Sequence, residues 1–417
     1  MAASAPPKPS YVSLLKDRAF SSLWIGQLIS QSGDAIFDVA LLWLVLVSTG
    51  STALVGVTEA VVLLPAVLAA PIAGVYADRT NRRNTMVVSS LFQGVVTAAA
   101  SVLYVAGFLS FPPLILLVLL LYTGAQFYRA ASSAILPSIV GGENLGAANG
   151  LFSLTTSANQ LVSYSIGGIA ILALGLAFPM TYDSLTFFVA ALLLISISKS
   201  YGSPRSSQTS SPGGRGGFWK EFREGLAYVR RNRTFLELAF FGLFINSFGI
   251  ILFTILGPYA KTWVHGDAST YGFILSSFAL GSMVGSVLVG KMNFRGHVGR
   301  VLFFGVSASG VLLIAIGLVS TVLPALLLFF ATGAVLACVN VPLNAWIDGQ
   351  IPREMLGRAN AVLNSLLSAT QPVAAVLGGV LVGLSSIGSV VVGSGLAMVT
   401  ATVVLFPIFK DLRQARY

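Results

Sequence analysis

The sequence predicts an all-α membrane protein of twelve transmembrane helices, arranged as two parallel six-helix repeats. Three observations predict it. Apolar runs long enough to cross a bilayer recur along the whole chain, charge is scarce, and a polar loop with its flanking helices returns at a constant offset. The chain has 417 residues, of which 55% are hydrophobic and 9% charged, and a mean hydropathy of +0.86. A soluble domain carries roughly 25% charged residues, so the composition alone points to a bilayer. Crossing the hydrocarbon takes about 20 mostly apolar residues. Such runs fall near 20–48, 52–77, 84–107, 113–136, 146–173, 176–198, 234–259, 269–292, 300–319, 322–346, 357–384 and 387–409. The fifth is the most polar, with Asn149, Asn159 and Gln160, and suits a helix partly sheltered from lipid.

The net charge of +10 has a topological source. With the N-terminus inside, 22 of the 24 basic residues fall in inside segments, Lys261 is outside and Arg129 lies within a span. This asymmetry predicts both termini in the cytoplasm and leaves no role for nucleic acid. Met1 to Arg18 has no long apolar core, so no cleavable signal peptide is expected. The lone Cys338 and the separated His265 and His297 offer neither a disulfide nor a metal cluster. No phosphate-binding loop of the G-x-x-x-x-G-K-[ST] type occurs. A nucleotide-driven enzyme is not expected, and no cofactor is.

The repeat has an offset of 211. Glu143 meets Glu354, Leu145-Gly146 meets Leu356-Gly357, Ala148-Asn149 meets Ala359-Asn360, and Gly167-Gly168 meets Gly378-Gly379. Earlier in each half, Asp17-Arg18-Ala19-Phe20 resembles Asn232-Arg233-Thr234-Phe235. The expected organisation is a first six-helix bundle over 1–198, a cytoplasmic linker over 199–232 and a second bundle over 233–417. The linker begins as a Ser/Gly/Pro-rich stretch to Gly217. Phe218, Phe222, Leu226 and Val229 then share one helical face, predicting an amphipathic helix on the inner membrane surface. Parallel repeats of this kind place substrate between them near the bilayer midplane.

Between the second and third spans stands Gly74-Val-Tyr-Ala-Asp78-Arg79-Thr-Asn-Arg82-Arg83. This G-x-x-x-D-R-x-x-R-R resembles the signature loop of the major facilitator superfamily. Its chemistry suits a gate. Gly74 allows close helix approach, Asp78 suits a helix N-terminus, and Arg79, Arg82 and Arg83 can pair with acids such as Glu143 or with lipid head groups. The second-half copy from Gly290 to Arg300 keeps the glycine and loses the acid. Three further stretches resemble the drug and metabolite efflux branch with its macrolide and siderophore exporters: Leu23–Gln27 through Gly33-Asp34, Ala134–Pro137, and Asp183-Ser-Leu-Thr-Phe-Phe. That branch's antiporter motif, G-P-x-x-G-G, reads here Ser163-Tyr-Ser-Ile-Gly167-Gly168, so only its paired glycines remain. The resemblance implies the twelve-helix fold of that superfamily, with the first, fourth, seventh and tenth spans lining a cavity.

The ionisable groups inside the spans carry the functional reading, because an acid near mid-membrane is costly unless paired or hydrated. Gln27, Gln31, Asp34 and Asp38 share one face of span one by their spacing. Asp34 lies about 14 residues in, roughly 21 Å of helix rise. Two carboxylates one turn apart can exchange a proton against substrate. Arg129 is the basic candidate beside them, as structural partner or as substrate contact, and Glu59 is a second candidate proton site. Asp183 is expected to be hydrated or capping at the outer end of span six. Gln126, Asn246, Asn340 and Asn344 are expected to line the cavity, with Phe37 as its aromatic wall. These features, with the export that the resemblance implies, predict a proton-coupled exporter of small amphiphilic compounds, cationic or neutral, monomeric in the plasma membrane and in contact with lipid. The alternatives are a transporter of lipid-like or siderophore-like metabolites and a ligand sensor without transport.

Overall fold

The computed structural model describes residues 11–203, 215–291, 296–352 and 355–416. Lys8, Arg205, Arg295, Arg353, Glu354 and the linker positions 204–214 lie outside the described residues. Among the described residues there is no strand. The helices are α1 (Tyr11–Lys16), α2 (Arg18–Thr49), α3 (Thr52–Leu68), α4 (Ala70–Arg79), α5 (Arg82–Val105), α6 (Phe111–Leu174), α7 (Ala177–Ile195), α8 (Arg215–Arg231), α9 (Arg233–Pro258), α10 (Ala268–Lys291), α11 (Val298–Leu318), α12 (Val322–Gln350), α13 (Leu356–Ser368), α14 (Gln371–Leu384), α15 (Ile387–Ile408) and α16 (Lys410–Gln414).

Among the described residues ten segments are long and apolar enough to cross a membrane, and α3 with α4, bent by 43°, makes one more. α6 has 64 residues, a length of ~96 Å at 1.5 Å per residue, about three times the hydrocarbon thickness. Gly141, at φ 72° and ψ 164°, interrupts it. Its two parts are therefore the fourth and fifth spans, and the total is twelve. The break falls inside the predicted loop, although helix continues through most of it.

Two predicted runs are not single straight helices. Span two stops at Leu68 and restarts at Ala70, where Pro71 stands in the first turn of α4. Span eleven stops at Ser368 and restarts at Gln371, with Pro372 in the first turn of α14. Proline lacks the N–H of the helical ladder and crowds the preceding turn, so the helix before it breaks.

The chain forms two compact units, 1–40 with 64–205 and 41–63 with 206–417. In the first, a methyl group placed on Gly167 of α6 would lie 3.2 Å from the Ile36 Cα of α2. In the second, a methyl on Gly378 of α14 would lie 3.2 Å from the Ile251 Cα of α9. Gly167 and Gly378 are 211 apart, and Ile36 and Ile251 are related by the offset that sets Asp17 on Asn232. The two units thus repeat one helix contact, glycine on the repeat-related isoleucine Cα at the same 3.2 Å. Polar residues of span five serve the same contact. Asn159 donates to the Leu28 carbonyl (3.1 Å), Thr156 to Gln31 (2.9 Å), and Trp24 to Thr155 (3.3 Å). Asn149 and Gln160 are exposed.

In the second unit α8 is helical as predicted, but its inner side packs on protein. A methyl on Gly225 would lie 2.6 Å from the Arg358 carbonyl, Val229 is fully buried, and Arg358 pairs with Glu224 at 2.7 Å. The Val229 side of the predicted apolar face is therefore taken up within the protein. The C-terminal segment is tied down too. Glu237, itself buried, accepts from the Leu412 N–H (2.9 Å), and the Trp346 indole donates to the Arg416 carbonyl (3.0 Å).

Candidate transport site

The first unit encloses a cavity of about 140 Å³ between α2, α5, α6 and α7. Asp34, Asp38, Gln27, Gln31 and Phe37 line it from α2, and Arg129 from α6. The 32-residue α2 carries these side chains one turn apart on one stripe, as helical periodicity requires. Both aspartates are half-buried. The Tyr122 phenol donates to the Asp38 carboxylate from α6. Arg129, exposed at the cavity edge, makes an ion pair with neither aspartate among the described residues. The Tyr128 hydroxyl also lines the cavity, is buried, and has no hydrogen-bond partner among the described residues. It is a free polar group on the wall.

Gln126 is buried beside this cavity rather than lining it, and donates to the Tyr122 carbonyl (3.3 Å). Glu59 is on α3 in the second unit and lines neither cavity. Tyr128, one of the aromatics near these positions in the sequence, also lines the wall, as do Tyr122, Gln93 and Phe187, which were not picked out as cavity residues. The spacing of Tyr122, Gln126 and Arg129 carried a signal, since it is the same stripe of α6. Phe187 stands in the Asp183-Ser-Leu-Thr-Phe-Phe stretch without having been assigned to the cavity, and Gln93 carried no signal.

The second unit holds a larger cavity, about 700 Å³, lined by Asn246, Asn340 and Asn344 with Phe241, Phe253 and Phe278. Asn360 also lines it and donates to Asp348 (3.0 Å). Asp348 lines it as well, and among the described residues no basic residue does. The repeat explains the contrast between the cavities. Arg129 corresponds to Asn340, and the span-one offset sets Gln31 on Asn246, Asp34 on Gly249 and Asp38 on Phe253. Gly249 and Phe253 both line the second cavity. One helix face therefore carries ionisable chemistry in the first unit and an apolar, amide-edged surface in the second.

The signature loop is built by capping. Asn81 accepts from the Asn84 N–H (3.1 Å) at the start of α5. Arg83, almost fully buried, donates to the Leu194 (3.2 Å) and Ile195 (2.5 Å) carbonyls at the end of α7, and Arg82 donates to the Ala134 carbonyl (3.1 Å). The expected pairing with acids gives way, for Arg82 and Arg83, to backbone carbonyls. A guanidinium at a helix C-terminus satisfies orphan carbonyls and meets the negative end of the dipole. Asp78 and Arg79 are exposed in the last turn of α4. Gly74 meets open space, with nothing within 4 Å of a methyl placed on it, so the close approach expected there is not made.

The expectation for Asp183 is corrected. It is fully buried within α7, and neither carboxylate oxygen has a hydrogen-bond partner among the described residues. It stands within the helix and not at its end, shut off from the surface.

Comparison with known proteins agrees with this architecture. The chain is 23% identical over 405 residues to macrolide efflux protein A of Streptococcus pyogenes, covering 95% of this chain and 96% of that protein. It is 25% identical over 364 residues to the multidrug efflux pump Tap of Mycobacterium tuberculosis, covering 84% of each. The solved nucleoside transporter NupG superposes with a TM-score of 0.71 at 11% identity, covering 95% of this chain and 99% of that one. A bacterial homolog of the human lysosomal transporter Spinster superposes with a TM-score of 0.65 at 17% identity, covering 98% and 97%. At such identities the solved structures share the fold alone. The model of the transmembrane secretion effector family matches residues 10–415. The chain belongs to that family of the major facilitator superfamily and is an integral membrane transporter, not an enzyme.

Proposed function

We propose that the protein is a proton-coupled exporter of small amphiphilic compounds, cationic or neutral, working by alternating access as a monomer in the plasma membrane with both termini cytoplasmic. One observation carries the reading. Asp34 and Asp38 stand one turn apart on the wall of a small cavity, while the repeat-related face in the second unit is apolar and edged with asparagine. An acidic pair inside a span is costly unless paired or hydrated, so its presence on a cavity wall favours a functional role. The first unit supplies the proton site, and Asn246, Asn340 and Asn344 supply neutral hydrogen-bonding groups for the substrate. The efflux activity named for the two relatives supports the outward direction. The Gly74–Arg83 loop sets the conformational balance and does not touch substrate.

The test uses purified protein in liposomes, with ethidium as a cationic probe and erythromycin as a macrolide probe. Asp34→Asn is expected to abolish uptake driven by a pH gradient and to leave gradient-free exchange, which carries no proton. Full gradient-driven transport in this variant would make the Asp34–Asp38 pair structural and turn attention to Glu59.

A further inference from the structure

The second cavity has two unlike ends. Along α12 its wall runs from Thr332 to Asp348, ~24 Å of helix at 1.5 Å per residue. The far end is aromatic. Phe253 of α9 and Phe278 of α10 meet edge to face with ring centroids 5.1 Å apart, and the Phe278 backbone packs on Gly333, next to Thr332. The near end is acidic. Asp348 is exposed in the last turn of α12, and the Asn360 amide of α13 donates to its Oδ1 (3.0 Å). A neutral donor thus holds one carboxylate oxygen in place and leaves the charge uncancelled. Asn344 and Asn340 stand one and two turns further in on the same face of α12. Among the described lining residues Asp348 is the only ionisable one. Arg358, the basic residue of α13, pairs with Glu224 of α8 (2.7 Å) and does not line the cavity.

We propose that Asp348 is the cation-selecting residue of the substrate site, seating the positive group of an amphiphilic cation at the cavity mouth while the apolar body points inward along α12. This rests on the exporter reading above, which puts that end of α12 at the cytoplasm, the side from which an exporter loads. The chemistry of the wall carries the assignment. An amide both donates and accepts, so Asn246, Asn340 and Asn344 receive charged and neutral molecules alike. A fixed carboxylate draws a cation and turns away an anion. From Asp348 to Asn340 is ~12 Å of helix rise, room for a fused-ring body. Beside that stretch α13 adds Leu363 and Leu367, one and two turns beyond Asn360.

The repeat offers an independent argument. At the offset of 211 Asn360 corresponds to Asn149 and Asp348 to Pro137. The first unit keeps the amide and has no acid at the matching place, and α6 runs through Pro137 as helix. The shared scaffold therefore does not need an acid there. The acid belongs to the unit with the larger cavity.

The experiment is a fluorescence titration of ethidium on the purified protein in detergent, without a pH gradient, joined to ethidium transport in liposomes. Asp348→Asn keeps size and shape and removes the charge. It is expected to weaken ethidium binding about fivefold, near the upper end for a solvent-exposed ion pair. Salt separates charge from packing. Between about 0.1 and 1 M salt the screening length falls from ~10 Å to ~3 Å. Wild-type affinity is expected to drop over that range, while that of Asp348→Asn holds within about twofold. Asp348→Glu keeps the charge and is expected to keep the salt response. Binding by Asp348→Asn within about twofold of wild type overturns the proposal. So does an equal salt response in the two, or a wild type that does not bind ethidium. If ethidium binds but its transport ignores the pH gradient, the proton-coupled reading fails, and the titration still decides the role of Asp348.

Discussion

The Tyr122 phenol donates to the Asp38 carboxylate, joining α6 to the acid one turn beyond Asp34. A neutral donor aimed at one carboxylate and not the other makes two chemically similar acids distinct, which a proton-for-substrate exchange requires. Hydrogen bonds of this kind contribute about 1–3 kcal/mol when the acceptor is charged. Tyr122→Phe keeps the ring and removes the donor. It is expected to lower pH-gradient-driven transport by roughly fivefold to a hundredfold, at 1.4 kcal/mol per tenfold, without changing the thermal midpoint by more than a few degrees. Unchanged transport kinetics would show that the bond is only packing.

Gly167 on Ile36 and Gly378 on Ile251 give a matched pair of packing tests. At 3.2 Å a methyl is tight but tolerable, so Gly→Ala at either site is expected to be mild. A leucine cannot be housed without moving α2 or α9, and overpacking of this kind costs about 1–3 kcal/mol. Both Gly167→Leu and Gly378→Leu should lower the thermal midpoint in detergent. Gly167→Leu should also impair proton coupling, because it pushes on the helix that carries Asp34. Equal effects of the two on coupling would mean that α2 does not set the acid geometry.

Much of this architecture was legible in the sequence, and the reasons are physical. Bilayer thickness fixes span length, so hydropathy found the twelve spans. The helical period put Gln27, Gln31, Asp34 and Asp38 on one cavity wall. The family resemblance, which implies that the tenth span faces a cavity, singled out Asn340 and Asn344, and both line the cavity of the second unit. The failures arise where position along a span says nothing about what lies opposite. Asp183 was read from its distance to a span end, but its side chain packs on Gly33 of α2 and is fully buried. Gly74 was read as a packing glycine, and nothing packs there. Pro71 and Pro372 were in plain view as breakers, but in apolar runs of this length the hydropathy signal masks them. Arg83 obeys the positive-inside rule and also caps α7, and only the fold reveals the second role.

That role of Arg83 is testable apart from transport. Its fork donates to two carbonyls at the end of α7, of which Leu194 also accepts from the Ile197 N–H (3.2 Å). Arg83→Met removes charge and donors and is expected to destabilise the first unit by about 1–3 kcal/mol. Arg83→Lys keeps the charge but not the planar fork, and should fall between. Thermal unfolding in detergent ranks the three. A lysine variant as weak as methionine would show that geometry, not charge, holds the helix end.

Asp267 gives a pH-dependent test outside the membrane. It caps the start of α10, accepting from the Thr270 N–H (3.0 Å) and the Ser269 hydroxyl (2.6 Å). Partial burial pushes its carboxyl upward, and the hydrogen bonds from Ser269 and Thr270 outweigh that, so it titrates below its ordinary 3.8. A depressed folded-state value means that the cap is at full strength above the ordinary value and is lost as pH falls through the folded one. Hydrogen exchange at the first amides of α10 should therefore quicken below about pH 3.8 in the wild type. Asp267→Asn retains a good N-cap without a titrating group, so its exchange should show no such added rise. Asp267→Ala should lose about 0.5–2 kcal/mol of local protection at every pH. If the aspartate and asparagine proteins respond alike to acid, the carboxylate does not carry the cap.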